Sequence, residues 1–399
     1  MERLDLHKII DHQFIDYVMA REGLKYIKFK DEFLLNQNRI HYEKNSNRLL
    51  FLNIQVVADE VRFYILAVDL QFIVEEKKEN QPLDAFLEDL KKKYFLKVQI
   101  NFSIPGQEVT KDGKTVYGKF GYKKTDDPAI IPQNFIVNCK GDLLAFYSQR
   151  RIFICNFKLN PANQVQELTA KELTLDEGTL DLDSIKWHPE SPVHLGFLTN
   201  NRFMIYDVSE NLEDPEFSLS LSTKKKSRNV IAFPGDEPKD EKSHMVDFCF
   251  CTQDRLEDFR FLSVFFMNSH GEIYYYAPII LGKIAVDEVE LLDLKRRTFE
   301  KWEGTDDAPE CDEYYKALFD CLLTNSSLEH TKLVLKSVAN TPYESLNNKN
   351  SIQGYYLSLS QSNNLGLYNS MTVIPGKFPK EERTMLLCIE SLIKDLIFL

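Results

Sequence analysis

Leu182 to Val208, LDSIKWHPESPVHLGFLTNNRFMIYDV, reads as three short β-strands closed by two tight turns. Ile185-Lys186-Trp187 is the first strand, and His188-Pro189-Glu190-Ser191-Pro192 turns the chain. Val193 to Leu198 is a mostly apolar run, Thr199-Asn200-Asn201 is a hairpin turn, and Phe203 to Val208 returns. Phe203 and Ile205 alternate with Met204 and Tyr206 at the period of two that a strand requires. Turn residues at such short spacing mark all-β repeats. Tyr206-Asp207 stands at the strand end where a repeating blade of the WD kind carries its Trp-Asp. The unit has the character of one blade of a β-propeller.

The chain has 399 residues, 43% of them hydrophobic, enough to bury one large core or two modest ones. A net charge of −12 argues against a broad phosphate-binding surface and so against direct nucleic-acid binding. No run of eighteen apolar residues offers a membrane span, and the N-terminus MERLDLHKIIDHQF lacks a signal-peptide core. Seven cysteines, an odd number widely scattered, suggest free thiols in a reducing compartment. The expectation is a soluble intracellular protein. Asn325-Ser326-Ser327 fits a glycosylation acceptor, which carries no weight in that setting.

Outward from the opening stretch, Phe135–Cys139, Lys140-Gly141-Asp142, Leu143–Tyr147, Ser148–Arg151 and Ile152–Phe157 repeat the order strand, turn, strand, turn, strand. One blade cannot bury both faces alone, so two such units imply an array. Leu159–Asp183 between them reads as polar connection. Upstream, residues 1 to about 24 have helical spacing, and strands are expected at Tyr26–Phe29, Arg39–Tyr42, Leu49–Val57, Val61–Val74 and Leu96–Ile104. Pro82 opens a short amphipathic helix with Leu83, Phe86, Leu87 and Leu90 on one face. Residues 1–125 are first blades or a cap, and 126–399 hold the blades. Downstream, Met245–Cys251, Phe261–Met267 and Glu272–Ala277 are strands, with Asn268–Gly271 as a hairpin turn. Residues 285–338 then change period. Val289 to Trp302 and Asp312 to Leu323 read as helices, and Leu328–Val338 as a possible third. The apolar stripe of this insertion either packs on the blade or receives a partner. Thr341–Asn350 is a polar loop, strands return at Ile352–Leu359 and Leu365–Ile374, and Thr384–Leu399 is apolar enough to need cover. The abrupt end on Ile397-Phe398-Leu399 suggests that the natural chain continues.

Local chemistry is sparse. Gly113-Lys114-Thr115 invites a phosphate-loop reading, but the first glycine of that cradle would fall on Glu108, whose carboxylate repels phosphate. Lys224-Lys225-Lys226-Ser227-Arg228 is flanked by acids and reads as solvated loop. Cys249-Phe250-Cys251, with His244 and His270 nearby, lacks the spacing and second ligand pair of a structural zinc site; buried core cysteine is the simpler reading, and no metal or cofactor is expected. The sequence carries no Gly-x-Ser-x-Gly elbow and no His-Glu-x-x-His, so no catalytic residues are assigned.

Three stretches in order then carry a resemblance: Cys139–Phe157, Lys186–Pro189 through Phe203–Val208, and Gly271–Pro278 followed by the helical insertion. Together, over roughly residues 130–400, the chain resembles the N-terminal β-propeller of the nucleoporin 88/nucleoporin 82 family. The resemblance implies an all-β fold, a seven-bladed β-propeller with an α-helical insertion near 285–338, followed by a coiled coil beyond residue 399. It implies a non-catalytic scaffold at the nuclear pore, on the cytoplasmic face of the nuclear envelope, serving messenger RNA export and protein transport. The implied partners are the C-terminal domain of a Gly-Leu-Phe-Gly nucleoporin (98/116 type) and a helical tail of the cytoplasmic filament nucleoporin (214/159 type). The family's acidic residue at a blade edge matches Glu272, and its hydrophobic loop after the insertion is met loosely by Tyr343 and Leu346. With Phe299 and Trp302 of the insertion, these are the candidate partner-binding residues. Two readings from other classes stay open: a propeller adaptor in trafficking or ubiquitin ligation, and a propeller enzyme whose site is assembled in space.

Overall fold

The computed structural model describes residues 12–22, 40–103, 108–111, 114–117, 122–159, 165–173, 181–199, 202–221, 244–250, 262–268, 272–276, 278–302, 308–329, 332–336, 353–358, 368–375, 385–391 and 396–398. The chain divides into two compact units, Met1–Thr179 and Leu180–Leu399.

In the first unit, β1 (Ile40–Glu43), β2 (Arg48–Val57), β3 (Glu60–Asp69) and β4 (Phe95–Ser103) form an antiparallel meander. β5 (Glu108–Lys111) and β6 (Lys114–Tyr117) make a separate hairpin, and β7 (Tyr122–Lys123) pairs with the start of β3. A second meander runs β8 (Asn134–Val137), β9 (Leu143–Tyr147), β10 (Ile152–Asn156) and β11 (Val165–Glu172). β4 and β11 pair in parallel, from Val165↔Lys97 to Lys171↔Ser103, so both meanders belong to one nine-stranded sheet.

The period of two sorts the side chains of β2 to β4 between two cores. Leu50, Leu52, Phe63, Ile65, Ala67, Val98, Ile100 and Phe102 face Phe135, Phe146, Phe153 and Cys155 of the second meander. Leu49, Phe51, Tyr64, Leu66, Val68 and Phe95 point the other way. They are covered by α1 (Gln13–Arg21), a 3₁₀ turn at Leu70–Val74 and α2 (Leu83–Tyr94), through Phe14, Val18, Phe72, Leu87 and Leu90. Burial on both faces explains why β2 and β3 read as nearly continuous apolar runs. Each such side chain stabilises by about 1.5–3 kcal/mol.

The two ends of this sheet also meet. Asn45 Nδ2 donates to the Cys139 carbonyl at 3.0 Å, and the rings of His41 and Phe135 lie 6.5 Å apart. The buried Glu43 carboxylate accepts from the backbone N–H of Asn45 (2.7 Å) and Ser46 (2.8 Å). Gly141 abuts it with φ +77°, and a Cβ there would stand 2.5 Å from the Glu43 carboxyl carbon. Glycine is required at this turn for both conformation and space.

The second unit begins with β12 (Leu182–Trp187), β13 (His194–Thr199), β14 (Arg202–Asp207) and β15 (Phe217–Ser220), a four-stranded antiparallel sheet in sequence order. A second sheet holds β16 (Met245–Phe250), β17 (Val264–Asn268), β18 (Glu272–Tyr276) and, after an insertion, β22 (Gln353–Ser358). The insertion comprises β19 (Ala285–Asp287), α3 (Glu288–Trp302), α4 (Ala308–Thr324), β20 (Ser326–Glu329) and β21 (Lys332–Leu335). β23 (Tyr368–Pro375), β24 (Met385–Ser391) and β25 (Leu396–Phe398) close the chain as a three-stranded sheet.

Phe203 of β14 packs against Phe248 at 4.8 Å and Phe266 at 5.1 Å between ring centres, the heart of one core shared by the first two sheets. Gly196 in β13 lets them close: a Cβ there would come 2.7 Å from the Phe250 ring. The same core takes in Leu291 and Leu294 of α3, Leu318, Phe319 and Leu322 of α4, and Leu333 and Leu335 of β21. The apolar stripe of the insertion therefore packs on the blade sheets. Asp287 caps α3 by accepting from the Glu290 N–H at 3.1 Å.

Several local expectations need correction. Leu328–Val338 is no helix: β20 and β21 form a hairpin, because Leu333 and Leu335 alternate with Lys332 and Val334 and only the first pair is buried. Leu159–Asp183 is more than a connection, since Val165–Glu172 is β11. The 61–74 strand ends at Asp69, whose carboxylate accepts from the Gln71 N–H at 3.0 Å and starts the 3₁₀ turn. β4 and β11 pair from either side of residue 125, and the two compact units divide at Thr179/Leu180. Tyr26–Phe29 lies outside the described residues, as does the Lys224–Arg228 cluster.

Candidate functional site

The insertion leaves the second sheet after β18 and rejoins it at β22, and a polar junction fastens its stem to the first sheet. His194 opens β13 and is fully buried; its Nε2–H donates to the Glu216 carboxylate at 2.6 Å, and its Nδ1 is hydrogen-bonded to the Ser191 hydroxyl at 2.6 Å. The other Glu216 oxygen accepts from the Gly282 N–H at 2.8 Å. Next in chain, Lys283 donates to Asp207 at 2.6 Å and to the Ser209 hydroxyl at 2.8 Å, and pairs with Glu210 at 2.7 Å. Lys283 does so from a left-handed backbone, φ +57°, which costs a non-glycine residue about 1–3 kcal/mol. Burial pushes the Asp207 carboxyl up, but the Lys283 ammonium and the Ser209 hydroxyl and N–H outweigh it and hold it below the usual carboxylate value. Burial lowers Lys283, and its bonds to Asp207 and Glu210 reverse this and leave it raised. Nearby, full burial and the neighbouring His194 push His188 down to about 3, so that ring is neutral at pH 7.

Two chemical readings of this junction can be weighed. Ser191, His194 and Glu216 form a hydroxyl–imidazole–carboxylate chain, but Ser191 and His194 are both 0% exposed, so no substrate reaches the hydroxyl. His194, Asp207 and Glu216 also bring three metal-type donors within 4.8 Å of one another. The Lys283 ammonium already stands on Asp207 as the cation, and the His194–Glu216 hydrogen bond satisfies the other two. The arrangement is a fastening.

Of the candidate partner-binding residues, Glu272, Phe299 and Trp302 lie among the described residues. Glu272 is the first residue of β18, in register with Ser358, and its side chain is outside the described set. Phe299 is half-buried, 6.2 Å from Phe319 between ring centres, and packs against the shared core. Trp302 ends α3, with its side chain outside the described set; Tyr343 and Leu346 lie outside the described residues. Of the two cysteines in Cys249-Phe250-Cys251, Cys249 is buried and Cys251 is undescribed. Lys114 and Thr115 lie in a hairpin strand, in register with Lys111 and Thr110, rather than at the start of a helix as a phosphate loop requires. Among the described apolar side chains of α3, Val289 (75%) and Leu292 (47%) are exposed. The helical spacing pointed to these residues, but could not say which stripe faced the core. Of the junction, only Asp207 carried a motif; Lys283 reaches it across 76 residues with no local signature.

No protein-family model matches the chain, and no curated protein matches it. Among solved structures, it is similar to one in the heterotrimeric complex of the Nup82 NTD, the Nup159 TAIL and the Nup145N APD from Chaetomium thermophilum. That likeness has a TM-score of 0.55 at 14% identity, over 86% of this chain and 66% of the other, just under two thirds. The chain has the Nup82 propeller fold. The yeast Nup82–Nup159–Nup116 complex also matches, with a TM-score of 0.49, 12% identity and coverage of 89% of this chain and 68% of that one. Within the Nup82 fold, the sheets β12–β15 and β16–β18 with β22 are blades. The fastening at Lys283 then fixes the root of the helical insertion to the blade that precedes it in sequence.

Proposed function

We propose that the chain is a non-catalytic scaffold of the nuclear pore complex, on the cytoplasmic face of the nuclear envelope. In this reading it anchors partner nucleoporins for messenger RNA export and nucleocytoplasmic transport. The observation that carries the reading is the fold likeness to the Nup82 NTD, whose complex is heterotrimeric with a Nup159 TAIL and a Nup145N APD. The partners here are accordingly a helical tail of the 214/159 type and the C-terminal domain of a 98/116-type nucleoporin. A coiled coil following the propeller belongs to the same reading. Glu272, Phe299, Trp302, Tyr343 and Leu346 remain the partner-binding candidates, with Phe299 acting by holding the insertion in place, since its ring lies against Phe319.

The test is a titration of the purified chain with each fragment, read by calorimetry and by light scattering after gel filtration. A ternary 1:1:1 complex formed without turnover supports the reading. No complex with either fragment at micromolar concentration would reject it.

A further inference from the structure

The turn after β14 carries a hydroxyl inside the ion network that fastens the stem of the insertion. Ser209 is exposed; its Oγ–H donates to Asp207 at 2.6 Å, and its Oγ accepts from the Lys283 ammonium at 2.8 Å. An ammonium has three N–H donors, and Lys283 places them on Asp207, Ser209 and Glu210. Two carboxylates and a hydroxyl share one cation. Asp207 depends on it most, because its side chain is 10% exposed and that of Glu210 is 69% exposed.

The segment around Ser209 is open to an enzyme. β14 ends at Asp207 and β15 begins at Phe217, so residues 208–216 belong to neither strand. Ser209, Glu210, Asn211, Glu213 and Asp214 are all exposed. The three acids that follow the serine form a charge pattern that a kinase with a basic substrate groove selects.

We propose that Ser209 is a phosphorylation site whose modification releases the stem of the insertion from the end of β14. The proposal is independent of which nucleoporins the chain binds. In the step, Ser209 Oγ attacks the γ-phosphorus of ATP under a protein kinase. The Oγ–P bond forms as the bond from that phosphorus to the departing ADP breaks, and the hydroxyl proton passes to the kinase. Asp207 thereby loses an O–H donor and gains a group of about −2 charge beside it. The phosphate draws Lys283 away, since it is the stronger acceptor and is carried by an oxygen that the ammonium already touches. Among the described residues, the Asp207 carboxylate then keeps only the Ser209 N–H, at 3.0 Å. A nearly buried carboxylate without its cation is destabilising. The same bonds help to hold Lys283 in its left-handed backbone, φ +57°, so their loss lets the stem relax.

The experiment incubates the full chain with casein kinase 2, which is directed by downstream acids, and Mg–ATP, and maps phosphate by mass spectrometry. Phosphate on Ser209, absent in Ser209→Ala, is expected. Amide exchange is then compared between the phosphorylated and unmodified chains at Gly282, Lys283 and Leu335. Their N–H groups tie the stem to the Glu216 carboxylate and to the Leu335 and Ile284 carbonyls. Exchange there should accelerate at least about tenfold, with β9 of the first unit unchanged. Ser209→Ala keeps the Asp207–Lys283 pair and should leave stem exchange as in the unmodified chain. By phosphorus NMR, the second ionisation of the phosphate should fall below the usual value of about 6 and return to it in Lys283→Met. No phosphate on Ser209, stem exchange unchanged or slowed by the phosphate, or a phosphate titration indifferent to Lys283→Met overturns the inference.

Discussion

Lys186 is the penultimate residue of β12, the first strand of the second unit, and its ammonium reaches across to the next sheet. It pairs with Asp247 at 2.8 Å and also donates to the Phe248 carbonyl. Asp247 is 4% exposed at its side chain and Lys186 30%. The carboxylate keeps further support from the Ser184 hydroxyl and from the Phe248 N–H at 2.8 Å. At an effective dielectric near 20 the gross attraction at this separation is about 6 kcal/mol, most of it offset by desolvation of the two ions. Removing one partner of a buried pair costs about 3–5 kcal/mol, and the partial exposure of Lys186 lowers the expectation for Lys186→Met to about 2–3 kcal/mol. For a unit of this size the melting temperature should fall by about 5–10 °C. The double change Lys186→Met with Asp247→Leu removes both charges, and its loss should be well below the sum of the single losses. Urea unfolding of the four proteins, followed by the fluorescence of Trp187 in the same strand, gives the cycle. Single losses under about 0.5 kcal/mol, or strict additivity, would show that the two blade sheets are joined by packing alone.

Three further outcomes follow from the geometry. Gly141→Ala should destabilise the first unit by at least about 1–3 kcal/mol in thermal melts, because it adds a Cβ at φ +77° against the Glu43 carboxyl. Asp207 has a folded pKa below its ordinary 3.8, so its contribution is complete above that value and lost as pH falls through the folded pKa; Asp207→Asn should flatten the stability–pH curve below about pH 4 and lower it above, read by denaturant titration from pH 2 to 7. Burial pushes the Cys155 thiol up to about 12, while Cys139 is exposed, so thiol labelling at pH 8 mapped by mass spectrometry should modify Cys139 long before Cys155.

Blade structure was legible wherever local alternation and turn chemistry agreed. Leu143–Tyr147 and Phe203–Asp207 needed no tertiary information, because each is a short apolar run that follows turn residues, Lys140-Gly141-Asp142 and Thr199-Asn200-Asn201. β11 was missed because Val165–Glu172 is polar at most alternate positions; its place is set by backbone pairing with β4, which leaves no mark in composition. Lys332–Leu335 was ambiguous for another reason. Four residues with two leucines fit a helical stripe and a strand equally well, and only the pairing with β20 decides. The junction at His194 and Lys283 was invisible because its members come from four separate turns and strand ends. Sequence-distant polar groups have no period to read.

The packing of the insertion narrows where a partner can bind. An apolar helical stripe flanked by loops could have been a free surface, yet Leu291, Leu294, Leu318, Phe319 and Leu322 are spent on the core shared with the blades. Phe319, at 0% exposure, would leave a large cavity if removed, so the insertion cannot lift away without loss of about 3–5 kcal/mol from that side chain alone. The polar stem adds a second attachment through Gly282 and Lys283. An insertion held at both its stripe and its stem presents a fixed outer surface, and its exposed apolar side chains are Val289, Leu292 and Leu328 among the described residues. None of the three carries the core, so each can be changed to a charged residue without unfolding the second unit. A loss of partner binding in Val289→Glu, Leu292→Glu or Leu328→Lys at unchanged melting temperature would therefore report contact directly. The same loss in Phe299→Ala would report it only through the helix that Phe299 steadies.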